Sequence, residues 1–170
     1  QKCLGVPPGL SPVTVSAAAI ERFVEKSPSW YLDLQMIAKY VTSGGARAYH
    51  HTAPISMIYA LHAGLGVALE EGLENVQARH QACGDKLQAG LVDRGFELFA
   101  QEGHRLPELT SVMVPIDRLP EGLDEAGVRT RLLTEYGIEI GGGLGPVAGK
   151  VWRIGCMGHT ARIRNVTLLL

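Results

Sequence analysis

A glycine-rich stretch over residues 141–158, GGGLGPVAGKVWRIGCMG, constrains the possible folds of this chain more than any other feature. Seven of the chain's 21 glycines fall within it. Because glycine has no Cβ, the backbone there can adopt positive φ angles and approach a ligand or another segment closely. No Gly-Lys-Ser/Thr sequence ends the stretch as in a P-loop, and the helix of a dinucleotide-binding fingerprint is missing. The glycines therefore predict a binding site without identifying its ligand.

Short strands are predicted on both sides of the loop, over residues 138–140 and 151–154. Alternation in the second strand places Trp152 and Ile154 on one face and Arg153 on the other. A planar guanidinium between glycine turns suits two-pronged binding of a carboxylate or phosphate. The alternative is a solvated arginine on a half-exposed strand, and the stretch by itself leaves that alternative open.

Length, composition and charge exclude several classes of protein. The chain has 170 residues, 46% of them apolar, which suits one domain of ordinary size or a small domain with part of another. A formal net charge of -1 gives no electrostatic footprint for nucleic acid. No apolar run approaches the roughly 20 residues that span a bilayer. We therefore expect neither a nucleic-acid nor a membrane partner.

Cysteine and histidine usage favours an intracellular protein without a metal site. Three widely spaced cysteines and no C-x-x-C pair are typical of reduced thiols. The six histidines show no ligand spacing, and the adjacent His50 and His51 are expected to point apart on a strand or helix. His80 and Cys83 lie on one helical stripe, where core positions are favoured over ligand positions.

The fold class predicted from periodicity is α/β, with a small sheet covered by helices on one face in the second half of the chain. Two halves are expected, residues 1–72 and residues 73–170. Helices are predicted at 17–26 after Ser16, at 31–40 with Asp33 as cap, from Pro54 to near Gly72, from Leu73 to near Gly95, after Asp124 up to Gly137, and after Thr160. Strands are predicted at 13–15, 96–99 and 109–114, and Ser43-Gly44-Gly45 is expected to break the second helix.

Thr52 precedes the predicted helix that starts at Pro54. Free backbone N–H groups and the helix dipole favour an anion at such a position. The alternative is that Thr52 is only the helix N-cap and Tyr49 only a packing aromatic. Both interpretations fit the spacing.

Three stretches taken together carry a family resemblance: QKCLGVPPG at residues 1–9, YHHTAP at 49–54 and GGLGPVAGKVWRIGCMG at 142–158. In this order and at these separations, they resemble the alanine–glyoxylate and serine–pyruvate aminotransferases. These are class V enzymes of fold type I that depend on pyridoxal 5'-phosphate (PLP). The similarity extends through GLEN at 72–75 and RLP at 105–107, so it covers essentially the whole chain.

The resemblance implies a cofactor site. Lys2 matches the lysine that bonds covalently to PLP and acts in catalysis, and Gln1 matches its neighbour beside the cofactor ring. Tyr49 and Thr52 match positions that reach the PLP phosphate from the neighbouring subunit of a homodimer. On spacing alone, Lys2 would be a frayed terminal residue.

It also implies a substrate site. Arg153 matches the arginine that binds the α-carboxylate of the substrate. Gly142, Gly143 and Gly145 match the loop that lines the active site, with Gly143 at the substrate.

The implied activity is transfer of an amino group from alanine or serine to glyoxylate or another 2-oxo acid. Residues 1–72 are then the end of the large PLP-binding domain, and residues 73–170 the small domain of the same fold. The chain starts without methionine and stops within a predicted helix, so we expect part of a longer enzyme. One alternative is another class V transaminase, such as one acting on 2-aminoethylphosphonate.

The other alternative is a non-catalytic fragment. The acidic partner of the pyridinium nitrogen and the aromatic residue stacked on the ring belong before Lys2 in this family, so these 170 residues alone are expected to be inactive. The resemblance leaves peroxisomal, mitochondrial and cytoplasmic locations open.

Overall fold

The computed structural model describes residues 1–43 and 49–170, which contain six α-helices and a three-stranded antiparallel sheet. The predicted break at Gly44-Gly45 lies outside the described residues. The helices are α1 Ala17–Ile20, α2 Leu34–Thr42, α3 Ile55–Glu71, α4 Leu73–Asp93, α5 Glu125–Tyr136 and α6 Ile163–Leu169. The strands are β1 Leu109–Met113, β2 Gly141–Gly142 and β3 Val151–Gly155.

The chain forms two compact units. The first, here called the sheet unit, comprises Gln1–Pro7 and Leu61–Leu170, and the second, the short unit, comprises Pro8–Ala60. All three strands and helices α4 to α6 belong to the sheet unit. The expected division at residue 72 concerns the two domains of a complete enzyme, and it stays a prediction.

Strand β3 is the centre of the sheet, with β1 on one side and β2 on the other, both antiparallel to it. The register pairs Val112 with Trp152 and Thr110 with Ile154, so these side chains share one face. Strand β1 ends at Met113, two residues before Pro115, which has no N–H to donate to a neighbouring strand. The strand predictions at 109–114 and 151–154 are confirmed.

Helices α4, α5 and α6 cover the face of the sheet that carries Val112, Trp152 and Ile154. The Trp152 indole N–H also donates to the carbonyl of Glu125 at the start of α5, at 3.2 Å. The predicted arrangement of a small sheet with helices on one face is therefore confirmed. The buried core of this unit consists of Cys83, Leu87, Leu91, Leu98, Val112, Val114, Ile140, Trp152, Ile154, Cys156, Ala161 and Val166.

Local sequence signals set several helix boundaries correctly. The side chains of Ser16, Asp33 and Asp124 accept hydrogen bonds from backbone N–H groups in the first turns of α1, α2 and α5. Gly137 ends α5 in the left-handed conformation at φ 66°, which glycine adopts without a steric penalty. Gly72 separates α3 from α4 at φ 86°, also as expected from its position.

Other local predictions are wrong in the short unit. Residues 13–15 do not form a strand, because no described segment pairs with them. Helix α1 ends at Ile20 rather than at residue 26. After α1 the backbone N–H groups of Arg22 and Phe23 donate to carbonyls three residues earlier, which is a turn and not an α-helix. The carbonyl of Val24 then accepts a hydrogen bond from the Gln35 side chain at 2.6 Å.

Corrections in the sheet unit concern the ends of strands and helices. Residues 96–99 contribute only one bridge, between Leu98 and Val112. The strand expected at 138–140 lies at Gly141–Gly142 instead. Helix α6 begins at Ile163 and not directly after Thr160, because Thr160 lies in a 3-10 turn and its hydroxyl donates to the carbonyl of Met157.

Gly84 provides a test of the contact between α4 and the segment before β1. A Cβ at Gly84 would lie 2.5 Å from the Cα and 2.6 Å from the carbonyl oxygen of Pro107. Since backbone atoms cannot move aside cheaply, we expect Gly84→Ala to lower the free energy of unfolding by about 1–3 kcal/mol. Urea denaturation of the chain measures this change.

The matched control is Gly66→Ala in α3, where a Cβ would meet no atom within 4 Å. Alanine is favoured over glycine inside a helix by about 0.5–1 kcal/mol, so this variant should be as stable as the parent or slightly more stable. Equal midpoints for the two variants would show that α4 does not pack against Pro107 as described.

Candidate functional site

Arg153 lies on the face of β3 opposite to Trp152 and Ile154, as its place in the strand predicts. The side chain is half-buried, and its Nε donates to the carbonyl of Gly142 on β2 at 2.7 Å. Within residues 1–43 and 49–170, neither Nη1 nor Nη2 has a hydrogen-bond partner, and Arg153 forms no ion pair. The guanidinium is thus held by one nitrogen, while its two terminal nitrogens can bind an anion.

The glycines of β2 make room for two arginines on opposite sides of the strand. A Cβ at Gly141 would lie 3.3 Å from Nη2 of Arg153, and one at Gly142 would lie 3.3 Å from Cζ of Arg129. Arg129 is paired with Glu125 on α5, with N–O distances of 2.9 and 3.3 Å. Arg129 was not among the predicted site residues, although its i, i+4 spacing from Glu125 indicates an ion pair on a helix.

Gly143 has a different role from the two glycines of β2. A Cβ there would overlap the carbonyl oxygen of Val147, so the loop can close only with glycine at this position. Gly145 then starts a 3-10 turn, Gly145–Val147, at φ 55°. The loop that follows β2 is therefore tight, and it leads back into β3. That it lines a substrate pocket stays a prediction.

Lys2 belongs to a turn in which its carbonyl accepts a hydrogen bond from the N–H of Gly5 at 3.1 Å. The side chains of Gln1 and Lys2 are exposed. The turn packs against Gly158, where a Cβ would lie 3.2 Å from the Lys2 carbonyl oxygen. Because Gly158 follows Arg153 by five residues, their Cα atoms are at most about 18 Å apart. Lys2 and Arg153 thus lie in the same unit, connected by this short segment.

Tyr49 and Thr52, in the short unit, form a pair of exposed hydroxyl groups. The Tyr49 hydroxyl and Thr52 Oγ1 are 2.7 Å apart. Helix α3 begins at Ile55, and the carbonyl of Pro54 accepts from the N–H of Ile58 at 3.1 Å. Thr52 therefore lies two residues before the cap position, so the interpretation of Thr52 as a simple N-cap is wrong, and Pro54 precedes the helix rather than starting it.

An aromatic cluster beside these hydroxyl groups was not predicted. The His50 ring is buried, stacks on Trp30 at 4.3 Å and places Nε2 2.9 Å from the Trp30 carbonyl. Its Nδ1 lies 2.7 Å from Nδ1 of His51, which corrects the expectation that the two rings point apart. The reason is that residues 49–53 are neither strand nor helix.

The contact with the Trp30 carbonyl shows which nitrogen of His50 is a donor. A carbonyl oxygen only accepts, so Nε2 of His50 carries a hydrogen. The Nδ1 atoms of the two rings share one further hydrogen between them. The cluster orders the chain directly before Thr52.

Two residues of the predicted core stripe are buried, as expected. His80 is 2% and Cys83 1% exposed. Burial raises the pKa of the Cys83 and Cys156 thiols, so both are protonated near neutral pH and unreactive. In the part of the chain that the structure describes, no three His, Cys, Asp or Glu side chains could hold a metal ion, and no helix could cross a membrane.

No protein-family model matches the chain. It is 36% identical over 191 residues to (S)-ureidoglycine–glyoxylate transaminase of Bacillus subtilis, covering 100% of this chain and 44% of that protein. It is 39% identical over 174 residues to alanine–glyoxylate aminotransferase of Callithrix jacchus, covering 99% of this chain and 41% of that protein.

A solved structure extends this similarity to the fold. The crystal structure of alanine–glyoxylate aminotransferase from Nostoc sp. matches with a TM-score of 0.86 and 46% identity, over 99% of this chain and 44% of that one. The chain thus spans 41–44% of the length of these relatives. By sequence and by fold, the chain is similar to somewhat less than half of the alanine–glyoxylate and ureidoglycine–glyoxylate aminotransferases.

Proposed function

We propose that this chain is part of a PLP-dependent transaminase that moves an amino group from a small amino donor to glyoxylate. The donors we favour are alanine and serine, and 2-oxo acids other than glyoxylate are further acceptors. Glyoxylate is preferred as acceptor because it appears in the names of both curated relatives described above, whereas their donors differ.

The half-buried guanidinium of Arg153 is the observation that carries this proposal. Each donor and each 2-oxo acid has a carboxylate next to the reacting carbon, so one arginine fork can orient both substrates. With Nε bound to the carbonyl of Gly142, Nη1 and Nη2 donate to the two carboxylate oxygens. The fork is held in place before substrate binds, which lowers the entropic cost of orientation.

The residues of this chain fit PLP by their donor chemistry. The paired hydroxyl groups of Tyr49 and Thr52 can turn from each other to donate to phosphate oxygens in front of α3, where the helix dipole favours an anion. When bound, PLP supplies the electron sink that lets the donor Cα lose a proton.

Lys2 has two roles in this proposal. Its amine would hold PLP covalently in the resting enzyme, which requires the neutral form of Nζ. When a donor is bound, the freed Nζ would take the proton from the donor Cα.

A panel of donors distinguishes this function from the phosphonate alternative. We expect the holoenzyme that contains this chain to turn over alanine, serine or ureidoglycine with glyoxylate, and to use 2-aminoethylphosphonate at least about tenfold less well by kcat/KM. In an α-amino acid the carboxylate is bonded to the carbon that carries the amine, whereas the phosphonate of 2-aminoethylphosphonate is one carbon further away, so one fixed guanidinium does not orient both donors equally well. The phosphonate as best donor would contradict the proposal, and no turnover of any donor would favour a non-catalytic protein.

Replacement of Arg153 by lysine tests the substrate site. Arg153→Lys keeps the positive charge and loses the bidentate guanidinium, so we expect kcat/KM for the donor to fall by about 10- to 150-fold, from a charge-assisted bond worth about 1.5–3 kcal/mol. Much of the loss should be in KM, because the carboxylate is bound before and during the reaction. Steady-state kinetics and PLP absorbance together measure the effect, and cofactor binding should persist.

Arg131→Lys is the matched control. Arg131 forms an exposed i, i+4 ion pair with Glu135 at 2.8 Å on α5, and solvent weakens such a pair strongly. Its kinetics should equal those of the parent. Normal donor kinetics in Arg153→Lys would return Arg153 to the role of a solvated strand residue.

We also propose that the enzyme is a homodimer in which Tyr49 and Thr52 of one subunit bind the cofactor of the other. A mixed dimer of Lys2→Ala and Thr52→Ala subunits then contains one doubly altered site and one intact site. We expect about half of the parent activity per dimer, measured on mixed dimers purified through a different tag on each subunit.

Mixed dimers of Lys2→Ala with parent subunits are the control, and they should show the same half activity. If both hydroxyl groups serve their own subunit, the doubly altered mixed dimer has no intact site. Its activity then falls clearly below the control, which would refute the shared site.

A further inference from the structure

Gly158 is held through both of its polar backbone groups by two consecutive residues of α4. Its N–H donates to Nε2 of His80 at 2.9 Å, in a buried position. Its carbonyl accepts from Nη1 of Arg79 at 2.8 Å, and the same nitrogen donates to the carbonyl of Ala161 at 2.9 Å. A loop residue beyond the end of β3 is therefore fixed to a long helix.

The hydrogen bonds of His80 assign its tautomer. Nδ1 lies 2.6 Å from the carbonyl of Val76, which can only accept, so Nδ1 carries the hydrogen. Nε2 then has the lone pair that accepts from Gly158. Both ring nitrogens are satisfied and the ring is almost completely buried, so the neutral imidazole cannot rotate without losing a bond.

Arg79 is oriented from its other side by Glu71, the last residue of α3. Nε and Nη2 donate to the two carboxylate oxygens at 2.6 and 2.9 Å, a two-pronged ion pair. The hydrogen bond to Arg79 lowers the pKa of Glu71, and the same bond raises the pKa of Arg79. Because Nε and Nη2 of Arg79 are bound to Glu71, the third nitrogen, Nη1, donates to the carbonyls of Gly158 and Ala161.

The other side of Gly158 faces the turn that contains Lys2. A Cβ at Gly158 would lie 3.0 Å from the carbonyl oxygen of Cys3 and 3.2 Å from both the N of Gly5 and the carbonyl oxygen of Lys2. Gly158 also has φ 55°, a conformation that residues with a Cβ rarely adopt. The backbone of Lys2 thus packs directly on the residue that Arg79 and His80 hold.

We propose that Arg79 and His80 are positioning residues that act through Gly158 on the backbone of Lys2. They thereby determine the position of Lys2 Nζ. This inference rests on the proposed role of Lys2 as the residue that bonds to the cofactor. Because a lysine side chain is long and flexible, the position of Nζ depends on where the backbone of Lys2 lies. A displaced backbone therefore moves Nζ away from its reacting partner. Misplacement by about 1 Å can cost about a hundredfold in rate.

Three variants of the holoenzyme test this proposal. Arg79→Met removes the bond to the Gly158 carbonyl, His80→Phe removes the bond to its N–H, and His80→Gln keeps an acceptor near the position of Nε2. We expect kcat to fall by about ten- to a hundredfold in the first two variants, with KM for the donor changed less than about threefold, because Arg153 is untouched. His80→Gln should keep at least about a third of the parent kcat.

A spectroscopic measurement separates positioning from lost stability. The absorbance of the Lys2–cofactor linkage is titrated against pH in protein that is folded and loaded, and borohydride trapping with mass spectrometry identifies the modified lysine. We expect the midpoint of this pH titration to be shifted in Arg79→Met and His80→Phe. In His80→Gln the midpoint should equal that of the parent. A variant that is only less stable loses loaded protein, but the remaining loaded fraction titrates normally.

The outcomes distinguish failure of this inference from failure of the proposed function. If borohydride does not trap cofactor on Lys2 in the parent, the proposed function is wrong. If Lys2 is trapped but Arg79→Met has the parent kcat and midpoint, the positioning role is wrong. Arg79 is partly exposed, so Arg79→Met decides even where His80→Phe does not fold, and Arg131→Met serves as its control on an exposed ion pair.

Discussion

The antiparallel pairing of β3 on both of its edges is the constraint on which the sheet unit depends. Pairing with β1 and β2 fixes which side chains of β3 face the helices, because alternate residues point to opposite faces. Trp152 and Ile154 enter the core, where each contributes about 1.5–3 kcal/mol by burial. A slip of one residue would bury Arg153 without a partner, at a cost far above that gain. The core therefore determines the direction of the guanidinium.

Strand β2 consists of two glycines, which make the strand less stable but leave room for neighbouring side chains. Each glycine in a strand costs about 0.5–1 kcal/mol relative to alanine. In return, Gly141 leaves room for the guanidinium of Arg153 on one side, and Gly142 leaves room for that of Arg129 on the other. A larger residue at position 141 would push against the arginine that the Gly142 carbonyl holds. The glycines of this strand thus determine the geometry of an arginine, and they need not touch a ligand to do so.

Elements with a strong local signal could be predicted from the sequence. The caps at Asp33 and Asp124, the long amphipathic stripe of α4 and the alternation around Arg153 were all sufficient. The predictions that failed have one physical cause, because the structure of those segments depends on contacts with residues far away in the sequence. Residues 13–15 have strand propensity, but no segment within residues 1–43 and 49–170 pairs with them. The contacts of Gly158 with Arg79 and His80 join residues almost 80 positions apart. His50 and His51 meet because their backbone is irregular, and periodicity carries no information there.

The glycines of residues 141–158 therefore serve at least three different structural purposes, and they do not form one continuous binding loop. Those of β2 make space for arginine side chains, Gly143 lets a loop close on Val147, and Gly158 lets a turn from the start of the chain pack against the end of β3. Arg153 and Gly158 belong to one short segment, so a change in β3 moves the guanidinium and the support of the Lys2 turn together. Under the function proposed above, Arg153 and Lys2 must keep a fixed separation, because Arg153 binds the substrate carboxylate and Lys2 reaches the carbon that loses its proton. The short segment from Arg153 to Gly158 connects the guanidinium to the support of the Lys2 turn, so it holds this separation more accurately than two independent loops could.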